Sequence, residues 1–139
     1  MILIDTNVLL DVVTDDPIWA EWSQAQLDLA ALRDRLAINP VVYAEFSSRF
    51  HRIEDVDELL AAVEIDVAEM PRSALFLAAQ VFTAYRRRGG PRTSVLPDFF
   101  IGAQAAVIGA NLITRDARRY RTYFPTVELV APDRHRPLA

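Results

Sequence analysis

The stretch that decides the fold lies at the start of the chain, where residues 2–7 read ILIDTN. A short apolar run of this kind is typical of a strand buried on both faces, as in a parallel sheet. Asp5 ends the run at once, and a brief helical stretch is predicted over residues 8–13. Ligands of parallel α/β sheets gather beyond the carboxyl ends of the strands, so Asp5 occupies a position where chemistry is expected.

Short apolar runs recur along the chain and predict the remaining strands: residues 36–38, 65–67, 112–114 and 127–130. Amphipathic segments between them predict the helices: one from Pro17 to Leu32, then residues 41–50, 55–63, 71–88 and 99–110, and a short one after Asp116. Strands that alternate with helices indicate a single α/β domain over residues 1–139. We expect an α/β/α sandwich with a central, mainly parallel sheet flanked by helices.

The composition narrows the class of protein. A length of 139 residues fits one domain, and 52% hydrophobic residues with a mean hydropathy of +0.12 indicate a well-filled core. The absence of cysteine excludes disulfides, thiolate metal sites and a cysteine nucleophile. Neither a signal peptide nor a membrane-spanning run is visible, so we expect a soluble, cytoplasmic protein without membrane contact.

The net charge of −4 would disfavour a nucleic-acid partner if it were spread evenly. However, all 15 basic residues are arginine, whose planar fork suits phosphate oxygens. Four acids that are candidates for a metal site account for the whole excess of negative charge. Local charge is therefore more informative than the total.

Those four acids occupy positions that can converge on one rim of the sheet. Asp5 and Asp116 follow predicted strands, Asp98 opens a predicted helix, and Glu45 lies within one. Carboxylates brought together repel one another unless cations neutralise them. Hard oxygen ligands of this kind suit Mg²⁺ or Mn²⁺.

Each acid also has a structural interpretation. Asp5, Asp98 and Asp116 are all suitable helix caps. Glu45 precedes Arg49 by four residues, the favoured spacing for a helix ion pair. The apolar neighbours of Glu45 also allow an inward orientation, where an unpaired carboxylate would need a reason. The residues alone leave capping and metal binding both open.

Taken together, the four acidic segments resemble the PIN-domain family. Residues 2–10 resemble the family's opening strand with its Asp-Thr-Asn, Glu45 its mid-chain glutamate, Asp98 its third acid, and residues 112–116 (LITRD) the segment with its fourth. Order and separations match along nearly the whole chain. Residues 96–100 (LPDFF) depart from the more usual Asp-Ala/Cys-Leu-Ile, which affects packing beside the site. The length resembles VapC-type toxins of bacterial toxin–antitoxin pairs.

This resemblance implies a metal-dependent endoribonuclease that hydrolyses RNA phosphodiester bonds. The residues implied to be catalytic and to hold Mg²⁺ or Mn²⁺, directly or through water, are Asp5, Glu45, Asp98 and Asp116. Asn7 and Thr114 would be supporting polar groups, although turn or cap hydrogen bonds explain them equally well. The implied partners are RNA, a cognate antitoxin and a second copy of the chain. Trp19 and Trp22, on one early helix, are either core or interface residues.

Two arginine clusters are candidates for RNA contact. Arg86, Arg87, Arg88 and Arg92 flank a Gly-Gly-Pro breaker just before Asp98. They predict a loop that grips phosphate, or else a solvated helix end. A second cluster lies beside Asp116 and comprises Arg115, Arg118, Arg119 and Arg121; of these, Arg115 is the candidate for RNA contact.

Three alternatives belong to other classes. A non-catalytic PIN-like binding module would use the same fold as a scaffold, although the presence of all four acids argues against it. A haloacid-dehalogenase-type phosphatase would need a second Asp where Asn7 stands, and a Lys, which the chain lacks. A Ser-His-Asp hydrolase is disfavoured because His51 and His135 lie in no recognisable motif.

Overall fold

The computed structural model describes residues 1–91 and 95–132. Within them, five parallel strands form one sheet: β1 (Ile2–Ile4), β2 (Leu36–Ile38), β3 (Ile65–Val67), β4 (Asn111–Ile113) and β5 (Leu129–Val130). The helices of the same residues are α1 (Thr6–Val13), α2 (Ala20–Ala31), α3 (Pro40–Ser47), α4 (Ile53–Ala62), α5 (Arg72–Arg87), α6 (Leu96–Ile108) and α7 (Arg118–Tyr123). The predicted α/β/α sandwich is confirmed, with every strand pair parallel.

β1 is the central strand, and the sheet order is β3-β2-β1-β4-β5. Its residues pair with β2 on one side and β4 on the other, and all three are buried. The strand order reverses between β1 and β4, and a reversal of this kind opens a crevice at the carboxyl ends of the two strands. Asp5 and Thr114, which follow these strands, therefore lie at the same crevice.

Two predicted helix starts are wrong by a few residues. The helix predicted to begin at Pro17 begins at Ala20, because Oδ1 of Asp16 accepts hydrogen bonds from the backbone N–H groups of Ile18 and Trp19 and fixes a turn first. The helix predicted to start after Asp98 already begins at Leu96. A proline is tolerated in the first turn of a helix, so Pro97 does not delay it.

Several apolar residues of the segment predicted as a helix from Pro17 to Leu32 lie on its outer face, although Trp22 is partly buried against the core. The buried residues of α2 are Ser23, Leu27 and Ala30. Leu29 is 57% exposed, and Leu32, just beyond the helix, is 86% exposed. None of the helices in the described ranges is long and apolar enough to cross a membrane.

The buried helix α6 approaches the end of α7 at a glycine. A Cβ added to Gly102 would lie 2.5 Å from Cε2 of Phe124, a ring that is itself buried. Phe124 packs against Phe99, with ring centroids 6.1 Å apart. Gly102 therefore lets the helix that carries Asp98 pack closely against the ring at the end of α7.

We expect Gly102→Ala to lower the free energy of unfolding by about 1–2 kcal/mol, since overpacking against Phe124 outweighs the gain in helix propensity. Urea denaturation measures the change. The double variant Gly102→Ala/Phe124→Leu relieves the clash, so its loss should be smaller than the sum of the two single losses. Additive losses would show that the close approach is not what requires glycine.

Candidate active site

Asp5 is a buried carboxylate at the end of β1, with 6% exposure. Its Oδ2 accepts hydrogen bonds from Oγ1 of Thr114 at 2.8 Å and from the hydroxyl of Tyr120 at 2.9 Å. Its Oδ1 accepts from the backbone N–H of Thr6 at 2.8 Å, which caps α1. Burial raises the pKa of Asp5, although these hydrogen bonds oppose the rise. The capping interpretation thus accounts for only one of its hydrogen bonds.

Glu45 reaches this cluster from α3. Its Oε1 accepts a hydrogen bond from Oγ1 of Thr6 at 2.8 Å, although the residue itself is exposed. Asn39 positions the helix, because its Oδ1 accepts from the backbone N–H of Val42 at 2.8 Å and caps α3. The inward orientation considered for Glu45 is wrong, and Glu45 bonds to Thr6 without forming an ion pair with Arg49.

Asp98 lies in the first turn of α6 but does not cap it, since no side-chain bond caps this helix. Its Oδ2 accepts a hydrogen bond from Nη1 of Arg119. The pKa of Asp98 is raised to about 6, chiefly by burial and also by the negative charge of Asp5. The guanidinium of Arg119 opposes the shift, and the charge of Asp116 adds to it.

Asp116 is exposed and does not cap α7, which begins after Ala117 without a side-chain cap. Its backbone N–H donates to Oγ1 of Thr114 at 3.1 Å, while that hydroxyl donates to Asp5. Thr114 thus connects two of the four acids. Asn7 lies close by, with Nδ2 3.5 Å from Oδ2 of Asp5 and Oδ1 3.5 Å from the backbone nitrogen of Arg115.

The structure places the predicted acids near one another without closing them around an ion. Asp5 and Asp116 both raise the pKa of Asp98, and Glu45 raises that of Asp5. Among the described residues, no three Asp, Glu or His side chains form a ready group of metal ligands. The donor set nevertheless fits Mg²⁺ or Mn²⁺, because Mg²⁺ keeps several waters and binds directly through only one or two carboxylates. Such a cation would remove the residual electrostatic repulsion among the acids.

Tyr120 is a site residue that the sequence reasoning missed. Its side chain is 1% exposed, and its hydroxyl donates to Asp5. Burial and the charges of Asp5 and Asp98 raise the pKa of Tyr120 well above its usual value, so it remains a hydrogen-bond donor. A tyrosine in a short, arginine-rich segment has no distinguishing pattern, since only the packing of α7 brings it to Asp5.

Arg115 makes contacts that fix the loop after β4. Its Nε donates to Oδ2 of Asp11 at 2.9 Å, and Oγ of Ser23 donates to the same oxygen at 2.8 Å. The guanidinium carbon also lies 5.4 Å from the ring centroid of Trp19. The loop before Asp116 is therefore tied to α1 and α2. RNA contact by Arg115 stays a prediction.

The basic segment before Asp98 lies at the exposed end of α5. Arg86, Arg87 and Arg88 are exposed, and Nη1 of Arg86 donates to the carbonyl of Gly90 at 2.7 Å. The guanidinium carbon of Arg88 lies 6.0 Å from the ring centroid of Tyr123, on the helix that carries Arg119. Arg92 lies outside the described residues.

Solved structures with a similar fold include VapBC2 from Rickettsia felis bound to a DNA fragment from their promoter, with a TM-score of 0.70 at 20% identity over 94% of this chain and 98% of that one. VapBC-1 from nontypeable Haemophilus influenzae has a TM-score of 0.68 at 16% identity over 94% and 98%. FitAcB from Neisseria gonorrhoeae has a TM-score of 0.61 at 21% identity over 93% and 96%. At these identities the likeness establishes the fold. No curated protein matches the sequence.

The profile of the PIN domain matches residues 2–125. This range contains strands β1 to β4 and all four acids. The chain therefore belongs to the PIN-domain family.

Proposed function

We propose that this protein is the toxin of a VapC-type toxin–antitoxin pair and acts as a metal-dependent endoribonuclease. The observation that carries the proposal is the set of mutually repelling acids at the reversal of strand order, where Asp5 and Asp116 raise the pKa of Asp98. Membership of the PIN-domain family supports a nuclease. Similar folds in complexes described as VapBC and as toxin–antitoxin support the toxin assignment.

The residues that would hold Mg²⁺ or Mn²⁺, some of them through water, are Asp5, Glu45, Asp98 and Asp116. A bound cation would lower the pKa of a coordinated water and stabilise the charge that develops on the leaving oxygen of the phosphodiester. Exposed Glu45 and Asp116 lie on the open side of the site, while Asp5 forms its buried base.

The chain's own residues keep this site in place before substrate arrives. Thr114 and Tyr120 both donate to Oδ2 of Asp5, which orients the carboxylate and leaves Oδ1 to the backbone of Thr6. The ion pair of Arg115 with Asp11 anchors the loop that carries Asp116. A site supported in this way needs little reorganisation during the reaction.

An open cleft of about 700 Å³ lies beside Asp116 and would admit RNA. Its lining comprises Tyr85, Pro91, Asp116, Arg118, Arg119, Thr122 and Tyr123. Arginine and aromatic side chains are the groups that contact phosphate and bases in single-stranded nucleic acid. The choice of RNA over DNA rests on the family resemblance.

A separate apolar groove of about 250 Å³ supports an antitoxin as the protein partner. It lies between α1, α2 and α4, and its apolar lining includes Leu9, Val12, Val13, Leu27, Phe46, Leu59, Leu60 and Val63. The exposed Leu29 and Leu32 extend the apolar surface of α2. An amphipathic helix of the antitoxin would bury such a groove. A homodimer of the toxin is a further part of the proposal.

We expect purified protein to cut RNA in the presence of Mg²⁺ or Mn²⁺. Cleavage should stop in excess EDTA and recover when the metal is restored. Asp98→Asn should slow cleavage by roughly a hundredfold or more, since it removes a charge that acts on the reacting centre. Glu58→Gln, which removes an exposed acid on α4, is the matched control. Equal cleavage in EDTA would contradict the metal mechanism, and absence of any cleavage would favour a non-catalytic binding module.

The stability of the metal-free protein separates a site residue from a structural one. The folded-state pKa of Asp98 is about 6 against 3.8 unfolded, so between about pH 4 and pH 6 the folded state keeps a proton that the unfolded state loses. Stability therefore falls as the pH rises through this window and stays lower above it, by at most about 3 kcal/mol. In EDTA, Asp98→Asn should unfold at a higher temperature than the wild type at pH 7.5 and not at pH 4. A lower midpoint at pH 7.5 would identify Asp98 as structural.

Arg86, Arg87, Arg88 and Arg92 should contribute to RNA affinity and not to the chemical step. In an Asp98→Asn background that spares the RNA, Arg87→Gln/Arg88→Gln should flatten the slope of log affinity against log salt by roughly one to two units, because each phosphate contact releases counterions. Arg33→Gln/Arg35→Gln, exposed before β2 at the opposite end of the strands, should leave the slope unchanged. With active protein, cleavage at saturating RNA should change little. An unchanged slope would identify a solvated helix end.

We expect a small antitoxin to co-purify with the protein from its native operon, and light scattering to give the mass of a dimer for the toxin alone. Val13→Asp puts a charge in the apolar groove and should weaken the antitoxin complex at least about tenfold. Val107→Asp, at a similarly exposed position on α6, is the control. Unchanged affinity in Val13→Asp would move the interface elsewhere, and a strict monomer would contradict the dimer.

A further inference from the structure

Helix α7 directs Arg119 at the acid cluster and leaves its two other arginines exposed. Arg119 donates to Asp98, and the two side chains are only 29% and 27% exposed. Arg118 and Arg121 are exposed. Tyr120, buried between them and bonded to Asp5, fixes the rotation of the helix. The position of Arg119 is thus set by the same carboxylate that forms the base of the site.

Arg119 partly neutralises the cluster. Its charge acts on Asp98 against the charges of Asp5 and Asp116. In the part of the chain that the structure describes, it is the only arginine ion-paired with any of the four acids. A guanidinium remains charged at any physiological pH, so this positive charge is permanent.

A divalent cation and this guanidinium would compete for one carboxylate. A cation bound to Asp98 would lie close to Arg119, and like charges at short distance repel strongly in a partly buried site. A guanidinium bonded to Oδ2 also uses lone pairs that a metal ion would need. Full coordination by Asp98 is therefore favoured when Arg119 has moved away.

We propose that Arg119 is a resident counter-ion that competes with the divalent cation for Asp98, and so sets the metal concentration at which the site fills. The inference rests on the proposed metal site and adds a regulatory element to it. When Arg119 leaves Asp98, its side chain can turn into the cleft that it already lines together with Arg118 and Thr122. The ion pair also stabilises the acid cluster while no metal is bound.

The test is a calorimetric titration of the protein with Mn²⁺ alone, without RNA. Arg119→Gln should bind Mn²⁺ roughly five- to tenfold more tightly than the wild type, the range of an ordinary coupling between two sites. Arg121→Gln removes the same formal charge from the same helix without touching Asp98 or the cleft, so it corrects for the general field. Its Mn²⁺ affinity should stay within about twofold of the wild type.

A second measurement uses the metal-free protein. Arg119→Gln should lower the thermal midpoint in EDTA, because Asp98 loses its partner, and Mn²⁺ should raise the midpoint of this variant more than that of the wild type. The Mn²⁺ concentration that gives half-maximal cleavage should fall in parallel with the dissociation constant.

Equal or weaker Mn²⁺ binding by Arg119→Gln would overturn the inference; weaker binding would mean that Arg119 orients Asp98 for the metal. If the wild type binds Mn²⁺ and cleaves RNA, and the arginine variants bind Mn²⁺ as tightly as the wild type does, only this inference fails. If the wild type binds no Mn²⁺, the proposed metal site fails with it.

Discussion

The buried carboxylate of Asp5 is the constraint around which the rest of the structure is arranged. Burying a charged group is costly unless hydrogen bonds or cations compensate for it. Compensation comes from α1 through Thr6, from the loop after β4 through Thr114, and from α7 through Tyr120. The loop after β4 and helix α7, both distant from β1 in sequence, are thereby brought to the end of that strand. The hydroxyl of Thr114 also holds Asp116 near Asp5, because it accepts from the backbone N–H of Asp116.

Arginine side chains take three different roles around this cluster. Arg115 is paired with buried Asp11 and stabilises the loop before Asp116. Arg119 is paired with Asp98 itself. Arg86, Arg87 and Arg88 remain exposed at the end of α5. The residue type is constant, so burial and the neighbouring acids decide which arginine supports the fold, which neutralises the site and which remains available to a polyanion.

The cluster of acids and the apolar groove lie on different parts of the molecule. The acids lie where β1 and β4 end, whereas the groove between α1, α2 and α4 is lined mainly by leucine and valine. Arg115 connects the two regions, because its partner Asp11 lies on α1 and its guanidinium lies near the ring of Trp19. A protein bound to α1 and α2 would therefore contact helices that the ion pair between Asp11 and Arg115 connects to the loop that carries Asp116.

The sequence by itself determined the α/β class, the positions of the five strands to within about two residues and the order of the four acids, because apolar runs and helix signals are local. It also left capping open for Asp98 and Asp116, and an inward orientation open for Glu45. The starts of α2 and α6 are local features that the sequence prediction misplaced by a few residues. Only the tertiary structure decided the points left open and the roles of Tyr120 and Arg119. Each depends on contacts between segments far apart in the chain, such as Tyr120 with Asp5, and no local pattern encodes which residues a buried charge will meet once the helices have packed.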